Sequence, residues 1–328
     1  MHRVSRRQWL GIATTFPWWS SWWSPYARAS TWPHAPVKII VPFAPGGGGD
    51  VIARLVAPAM SAHWKQPVLI DNRAGASGLI GADAVAKSKP DGFTLLLSNN
   101  ASIATAPLVV GNAGFHPLRD FAHAAMLGGF ANALLVRNDH PAKTLADFVA
   151  QVRAKPGAVN YSSAGNGSAG HLTGELFKLK AGVDMRHIPY KGTGPALIDL
   201  MAGQIDALFD GLPASLGYMR AGKLRAIAVT SEKRSPLFPG LPALQEMAAG
   251  VIGGAWFGLS APAGTPAPII GAIELALRVA LNQPEVKSRF AEMGVDLSPK
   301  NAADYTAHIE AEIARWAPVI RDARVRGD

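Results

Sequence analysis

Four short stretches of this chain pair glycine with hydroxyl, amide or carboxylate side chains, and each falls between a β-rich run and an amphipathic one. The first is Pro45-Gly46-Gly47-Gly48-Gly49-Asp50, which follows Val37 to Phe43. Glycines let the backbone turn tightly and approach a ligand. A helix opening there offers unpaired N–H groups and the positive end of its dipole, the ingredients of an anion site. The competing reading is a tight strand-to-helix turn in which Asp50 is only a cap. The second stretch runs from Tyr161 to His171 and carries Ser163, Gly165, Gly167 and Ser168, with His171 one turn into the following helix. Ser168 suits helix capping and ligand binding equally, and His171 reads first as a structural hydrogen-bonding group. The third, Tyr190 to Pro195, contributes Thr193 and Gly194, and the fourth, Phe209-Asp210-Gly211, contributes Asp210. Thr193 is either a cap or a ligand donor. Asp210 either receives a ligand ammonium or hydroxyl or caps the next helix.

These loops are rich in donors and poor in charge, which favours reversible capture of a carboxylate over chemistry on it. Gly165-x-Gly167-x-x-Gly170 has the form of a dinucleotide fingerprint, but that fold needs an acidic residue at the end of the next strand. Here that strand ends at Tyr190-Lys191, and Asp184 precedes it. A serine-hydrolase elbow needs glycine two residues before the serine; Asn166 precedes Ser168 and Tyr161 precedes Ser163 there. Ser168, His171 and Asp210 remain a conceivable triad, but Ser and His three apart on one helix is not a known triad geometry. The nine histidines lack metal-binding spacings beyond the N-terminal region, and no carboxylate pair stands out, so neither a metal nor a cofactor is expected. Cysteine is absent, which removes disulfides, thiolate metal sites, a Cys nucleophile and a lipid anchor on cysteine.

The elements that must hold these loops alternate. Strands are expected at 37–43, 67–72, 94–98, 133–137, 159–163, 186–190, 205–210, 224–230, 255–261 and 295–298. Helices are expected at 50–64, 80–87, 168–181, 194–202, 213–221, 266–281, 284–292 and 301–321. Such alternation argues for an α/β fold of largely parallel sheets flanked by helices, with ligands at the carboxyl ends of strands. With 328 residues, two lobes are the expectation. The formal charge is +9, and four of the arginines fall within residues 1–29, leaving +5 without them. Basic residues are scattered, so no nucleic-acid partner is expected.

Ser5-Arg6-Arg7-Gln8-Trp9-Leu10, the apolar stretch to Trp23 and Ala27-Arg28-Ala29 read as a twin-arginine export signal with cleavage near Ala29. An ordinary secretory signal is the competing reading. Either one sends the protein to the periplasm.

Seven motifs in order then carry a resemblance. Val41-Pro42-Phe43-Ala44-Pro45-Gly46-Gly47-Gly48-Gly49-Asp50 is similar to V-P-F-x-P-G-G-x-x-D, Asp71 to Gly78 to E-N-R-x-G-A-x-G, and Pro90 to Leu95 to P-D-G-Y-T-L. Tyr161 to Leu172, His187 to Gly192, Gly222 to Ala226, and Trp256 to Leu259 with Ala261 to Pro266 complete the set. Together they resemble the solute receptors of tripartite tricarboxylate transporters, the Bug family of periplasmic binding proteins. The resemblance implies a two-lobed, hinge-closing fold (type II-like), with 30–132 plus 255–328 as one lobe and 133–254 as the other. It implies that a small carboxylate is held by Gly47, Gly48, Ser163, Gly167 and Ser168, with Thr193 and Asp210 on the far side. The stretch Leu96 to Ser102 departs from the family's commoner glycine-containing loop, which points to Asn99, Asn100 and Ser102 at the distal end of the ligand. The expected protein is a monomer and not an enzyme. It serves the permease subunits of such a transporter or, alternatively, a membrane sensor kinase.

Overall fold

A computed structural model describes residues 32–326; the expected export signal lies outside the described residues. In chain order the elements are β1 (Val37–Val41), α1 (Gly48–Trp64), β2 (Val68–Asn72), α2 (Leu79–Ala86), β3 (Thr94–Asn99), α3 (Ala106–Val110) and β4 (Phe121–Arg137). Then follow α4 (Leu145–Ala154), β5 (Asn160–Ser163), α5 (Ala169–Ala181), β6 (Arg186–Pro189), α6 (Thr193–Ala202), β7 (Ala207–Gly211), α7 (Leu212–Arg220) and β8 (Leu224–Val229). The last are β9 (Gly254–Pro262), α8 (Ala267–Asn282), α9 (Pro284–Met293) and α10 (Ala302–Asp322).

The strands form two sheets that share β4. One has the order β2-β1-β3-β9-β4, and the other runs β4-β7-β5-β6 with β8 also on β4. Pairing is parallel among β1, β2 and β3 and among β5, β6 and β7. The long strands β4 and β9 run antiparallel to their neighbours. Their direction is what lets the chain pass twice between the lobes. β9 accompanies β4 as far as Ala131, and β8 accompanies it from Ala133 on. Thr230 stitches this exchange. Its N–H donates to Asn132 O at 2.8 Å, its Oγ1 accepts from Asn132 N–H at 2.8 Å, and Oγ1 also donates to Gly253 O at 2.6 Å.

Side chains that alternate along the strands fill two cores in each lobe. In the first sheet Ile39, Val41, Leu95 and Leu97 face α1 and α8, while Ile40 and Leu96 face Tyr305 and Ile309 of α10. In the second, Leu134 and Val136 pack with Phe148, Tyr161, Phe177 and Phe209, while Ala133 and Leu135 pack with Leu197, Leu208 and Leu216. These strands are buried on both faces, as parallel sheets covered by helices require. Helix ends follow local chemistry. Thr144 and Asp147 make a capping box at α4, and Ser168 caps α5, which stops at Gly182 in the left-handed conformation.

Four stretches differ from the sequence expectation, the first being α4 (Leu145–Ala154), where the sequence reading places no element. β4 begins at Phe121, twelve residues before the apolar run that marks it, because His123, Gly128, Gly129 and Asn132 interrupt its alternation. The stretch after Asn99 is a π-helical turn, Asn100–Thr105, that leads into α3; Asn99 Oδ1 accepts from Ser102 N–H at 2.8 Å to cap it. Residues 295–298 form no strand of their own. Asp296 makes only an isolated bridge to Gly129 at the irregular part of β4.

Candidate functional site

One cavity lies where the loops of both lobes converge. Gly47, Gly48 and Gly49 at the start of α1, Asn99, Asn100 and Ala101 at the end of β3, and Ala164, Ser168, Ala169 and Gly170 at the start of α5 all line it. Thr193, Asn132 and Asp210 close another side, and Phe43, Phe130, Ala255 and Phe257 supply apolar wall. The cavity volume is about 50 Å³.

Its electrostatics come from backbone rather than from side-chain cations. In α1 the first intrahelical bond is from Val51 N–H to Gly47 O, so the N–H groups of Gly48, Gly49 and Asp50 precede the ladder. In α5 the first is from Leu172 N–H to Ser168 O, and His171 N–H goes to Ser168 Oγ at 3.3 Å, so Ala169 and Gly170 N–H precede it. Two helix N-termini therefore bring free donors and positive dipole ends to one space. Among the described residues no Lys, Arg or His lines the cavity, and Asp210 is the one ionisable side chain on its wall. Asp210 Oδ1 accepts Gly211 N–H at 2.6 Å, and Oδ2 is out of solvent contact. Burial pushes the Asp210 carboxyl up to about 6, with the Thr193 side chain and Gly211 N–H partly offsetting it.

Of the residues singled out from sequence, Gly47, Gly48, Asn99, Asn100, Ser168, Thr193 and Asp210 line this cavity. Asp50, Ser102, Ser163, Gly165, Gly167, His171 and Gly194 lie around it and have other partners. Asp50 is not the cap, since Gly47 holds that position. Its carboxylate accepts from Gly46 N–H at 3.0 Å, Asn72 Nδ2 at 3.0 Å and the Arg54 guanidinium at 3.0 Å. Burial works against its charge, but these bonds outweigh burial and hold it below the usual carboxylate range. Ser102 belongs to the Asn99 cap. Ser163 Oγ is bonded to His187 Nε2 at 2.7 Å, and it accepts Gly165 N–H at 3.2 Å. His171 Nδ1 accepts Gly167 N–H at 3.0 Å, and its ring stacks on His187 with centroids 3.7 Å apart. The histidine pair thus braces the loop from beneath, and the His171 ring makes no bond to Ser168.

The glycine pattern of that loop has a packing explanation. Gly165 has φ +130°, where side chains are strained, and a Cβ on Gly170 would lie 2.0 Å from Phe209 O. With side chains at these points α5 could not sit against β7. Across the cleft the lobes touch. Ala44 N–H donates to Lys191 O at 3.4 Å, Thr105 Oγ1 donates to Gly167 O, and Cβ atoms on Gly47 and Gly194 would lie 3.6 Å from Thr193 Cβ and 2.6 Å from Pro45 O. Asn132, Phe130 and Phe257 went unread in the sequence as site residues. The isolated Asn132, three residues after Gly128-Gly129 in a largely apolar strand, is the one signal that marks this stretch.

Residues 52–325 match the family model described as tripartite tricarboxylate transporter family receptor. The chain belongs to this family. Protein BugT of Bordetella pertussis (strain Tohama I) is 38% identical over 300 residues, which are 90% of this chain and 91% of BugT. Among solved structures, R. palustris Rpa4515 with adipate is 36% identical with a TM-score of 0.87, over 90% of this chain and 99% of that one. MatC of Rhodopseudomonas palustris with bound malate is 32% identical with a TM-score of 0.83, over 88% of this chain and 99% of that one. The family and the fold are those of two-lobed periplasmic binding proteins. Among the described residues no helix is long and apolar enough to cross a membrane, and no group of three His, Asp or Glu is placed to hold a metal.

Proposed function

We propose that this receptor captures a small carboxylate in the periplasm by closing its two lobes over it, and hands it to the membrane permease of a tripartite tricarboxylate-type transporter. The observation that carries the reading is the cavity ringed by free helix N-terminal amides with no cation on its wall. A carboxylate is the group such a site holds best. Each oxygen accepts several charge-assisted hydrogen bonds, and the dipole ends neutralise the charge without a salt bridge. Gly48 and Gly49 amides from one lobe and Ser168, Ala169 and Gly170 from the other are the assigned contacts. The carboxylate then bridges the lobes and favours the closed state by its differential affinity. The adipate and malate bound by the two similar structures support the same ligand class. The lobes part where β8 replaces β9 beside β4, so the hinge falls between Ala131 and Ala133 and again near Gly254.

Isothermal titration with short mono- and dicarboxylates and with their primary amides tests this reading. Carboxylates are expected to bind and the amides to fail. Ser168→Ala is expected to weaken carboxylate binding by about 0.5–3 kcal/mol, since its hydroxyl stands at the shared helix end. Equal binding of acid and amide, or an unchanged affinity in Ser168→Ala, counts against it.

A further inference from the structure

Away from the solute cavity the lobes meet a second time, where α7 of the second lobe packs against α1 and α9 of the first. Two clefts join there. One, of about 520 Å³, is floored by Leu216, Met219, Leu237, Phe238 and Leu241. The other, of about 460 Å³, lies between Leu55 of α1, Leu216 and Gly217 of α7, and Met293 of α9. Leu216, Arg220 and Glu292 line both. The rim is cationic. Arg54, Arg220, Arg225 and Arg289 line the pair of clefts against the single carboxylate of Glu292. Arg289 is paired with Glu292, and Arg54 with Asp50. The other two charges are unmatched. Arg225 donates to the main-chain carbonyls of Asn138, His140 and Ala142. Arg220 is exposed in the last turn of α7 and has no hydrogen-bond or ion-pair partner among the described residues. An apolar floor that reaches the surface, with Leu237 41% exposed, inside a rim of arginine is the make-up of a protein-binding surface.

We infer that this groove is a docking surface for an acidic, amphipathic helical segment of a partner protein. The segment seats apolar side chains in both clefts and sets carboxylates on Arg220 and Arg225. Each cleft is far larger than the solute cavity, and a short acid would fill neither. A helix with apolar residues three and four apart presents a continuous stripe that reaches both sides of Leu216. The unmatched arginines favour an acidic segment and repel a basic one. The groove also reports on closure, because its walls come from both lobes. A Cβ on Gly294 of the first lobe would lie 3.1 Å from Leu237 Cδ1 and 3.6 Å from Leu212 Cδ1 of the second. Met293 packs against the cores of both. Parting the lobes takes α7 away from α1 and α9 and leaves half a groove. The closed, loaded receptor is therefore the form that the partner binds, and solute and partner strengthen each other's binding by the same factor. This rests on the reading of the protein as a receptor that closes over its solute, and it names the surface by which a membrane partner tells loaded from empty.

The test is fluorescence anisotropy with a labelled peptide of leucine and glutamate whose leucines recur three and four residues apart, against the same peptide with lysine for glutamate. The acidic peptide is expected to bind and the basic one to fail. Two variants are read beside the parent, Arg220→Glu and Gly217→Trp. Gly217 is exposed within α7 and a Cβ there would meet nothing within 4 Å, so the indole fills the cleft without entering the core. Both variants are expected to keep the parent's thermal midpoint and its calorimetric affinity for carboxylates, and to weaken the acidic peptide by about tenfold or more. Malate or adipate, where either titrates, is expected to tighten the peptide by about threefold or more. Equal binding of the two peptides, failure of the acidic one, or full binding in both variants overturns the docking surface. So does tighter binding of laurate than of the peptide, which makes the groove a site for a small amphiphile. Self-association of the parent that Gly217→Trp abolishes also overturns it, as a contact between two copies. A bound acid that leaves the peptide affinity unchanged overturns the link to closure. An acidic peptide that binds a protein to which no carboxylate titrates strikes the carboxylate reading and leaves the surface standing.

Discussion

The chemistry of the site concentrates in Asp210, whose surroundings set the sign of its effect on stability. Its carboxyl titrates near 6 in the folded protein, for want of any cation to offset burial. In the unfolded chain an aspartate titrates at about 3.9. Between those values the folded chain holds a proton that the unfolded chain has released. The contribution of this group is therefore favourable at low pH and is lost as pH rises through about 6. Above that, its buried charge costs on the order of 3 kcal/mol. Asp210→Asn removes the charge and keeps the shape, and is expected to raise the unfolding midpoint of the ligand-free protein by about 2–6 °C at pH 7.5. The gain should shrink at pH 5. Scanning calorimetry at both values checks it, and a variant no more stable than the parent at pH 7.5 would contradict the assignment. Asp210, Ser168 and Thr193 were legible in the sequence because a strand end followed by a helix start places a side chain at a known edge. Asn132 was not, since its position depends on which strand lies beside β4 at that point, and that is a tertiary fact.

At the scale of elements, the glycines of the facing loops divide between building each lobe and letting the lobes meet. Gly170 belongs to the first kind, because its neighbour is Phe209 O of the same lobe. Gly194 belongs to the second. It lies in the first turn of α6, where alanine is a good helix residue, yet a Cβ there would meet Pro45 O of the opposite lobe at 2.6 Å. Gly194→Ala is accordingly expected to leave the ligand-free thermal midpoint within about 2 °C of the parent and to weaken ligand binding at least tenfold, by opposing closure. Thermal unfolding and titration of the same preparation separate the two effects. A drop in both, or in neither, would place Gly194 in the fold of its own lobe or outside the closing contact. The sequence foreshadows the loops but not this division of labour. The alternation of apolar runs with Gly- and Pro-rich turns was enough to locate nearly every strand and helix, because both sheets are covered on both faces and their strands read as continuous apolar runs. It missed α4 (Leu145–Ala154), and it missed the first half of β4 and the π-helical turn at Asn100–Thr105, where Gly128-Gly129 and Asn99-Asn100 look like loop and are held in place by β9, Asp296 and α10.

For the whole molecule, the histidines that burial shifts most, His123, His171 and His187, make folding depend on pH in the opposite sense to Asp210. His123 is held in the first lobe between Ser260 Oγ at 2.8 Å and Pro117 O at 3.1 Å, while His171 and His187 stack beneath the ligand loop of the second. Burial pushes all three down, to about 4, about 3 and about 2; Lys178 adds to the effect on His171, and both His171 and Lys178 add to that on His187. In the unfolded chain each takes up a proton near pH 6.5. Their contribution to stability is thus full above about 6.5 and is lost progressively as pH falls towards the folded values. At pH 5 unfolding takes up about three protons on these histidines and releases about one from Asp210. From these four groups alone the net of about two corresponds to a loss of roughly 2.7 kcal/mol of stability per pH unit, and His140 and His308, which burial also lowers, add in the same sense. The unfolding midpoint in urea is therefore expected to fall steadily from pH 7 to pH 5, with the two lobes affected together because each carries its own buried histidine. A midpoint that stays flat over that range would mean that the histidines are hydrated or paired in the folded protein. Replacing His171 by phenylalanine, which keeps the stack on His187 but cannot take a proton, should flatten the slope by about one proton. Because that ring nitrogen also receives Gly167 N–H, the same change frees the loop amide and should weaken carboxylate binding, which ties the acid response of the fold to the cavity above it.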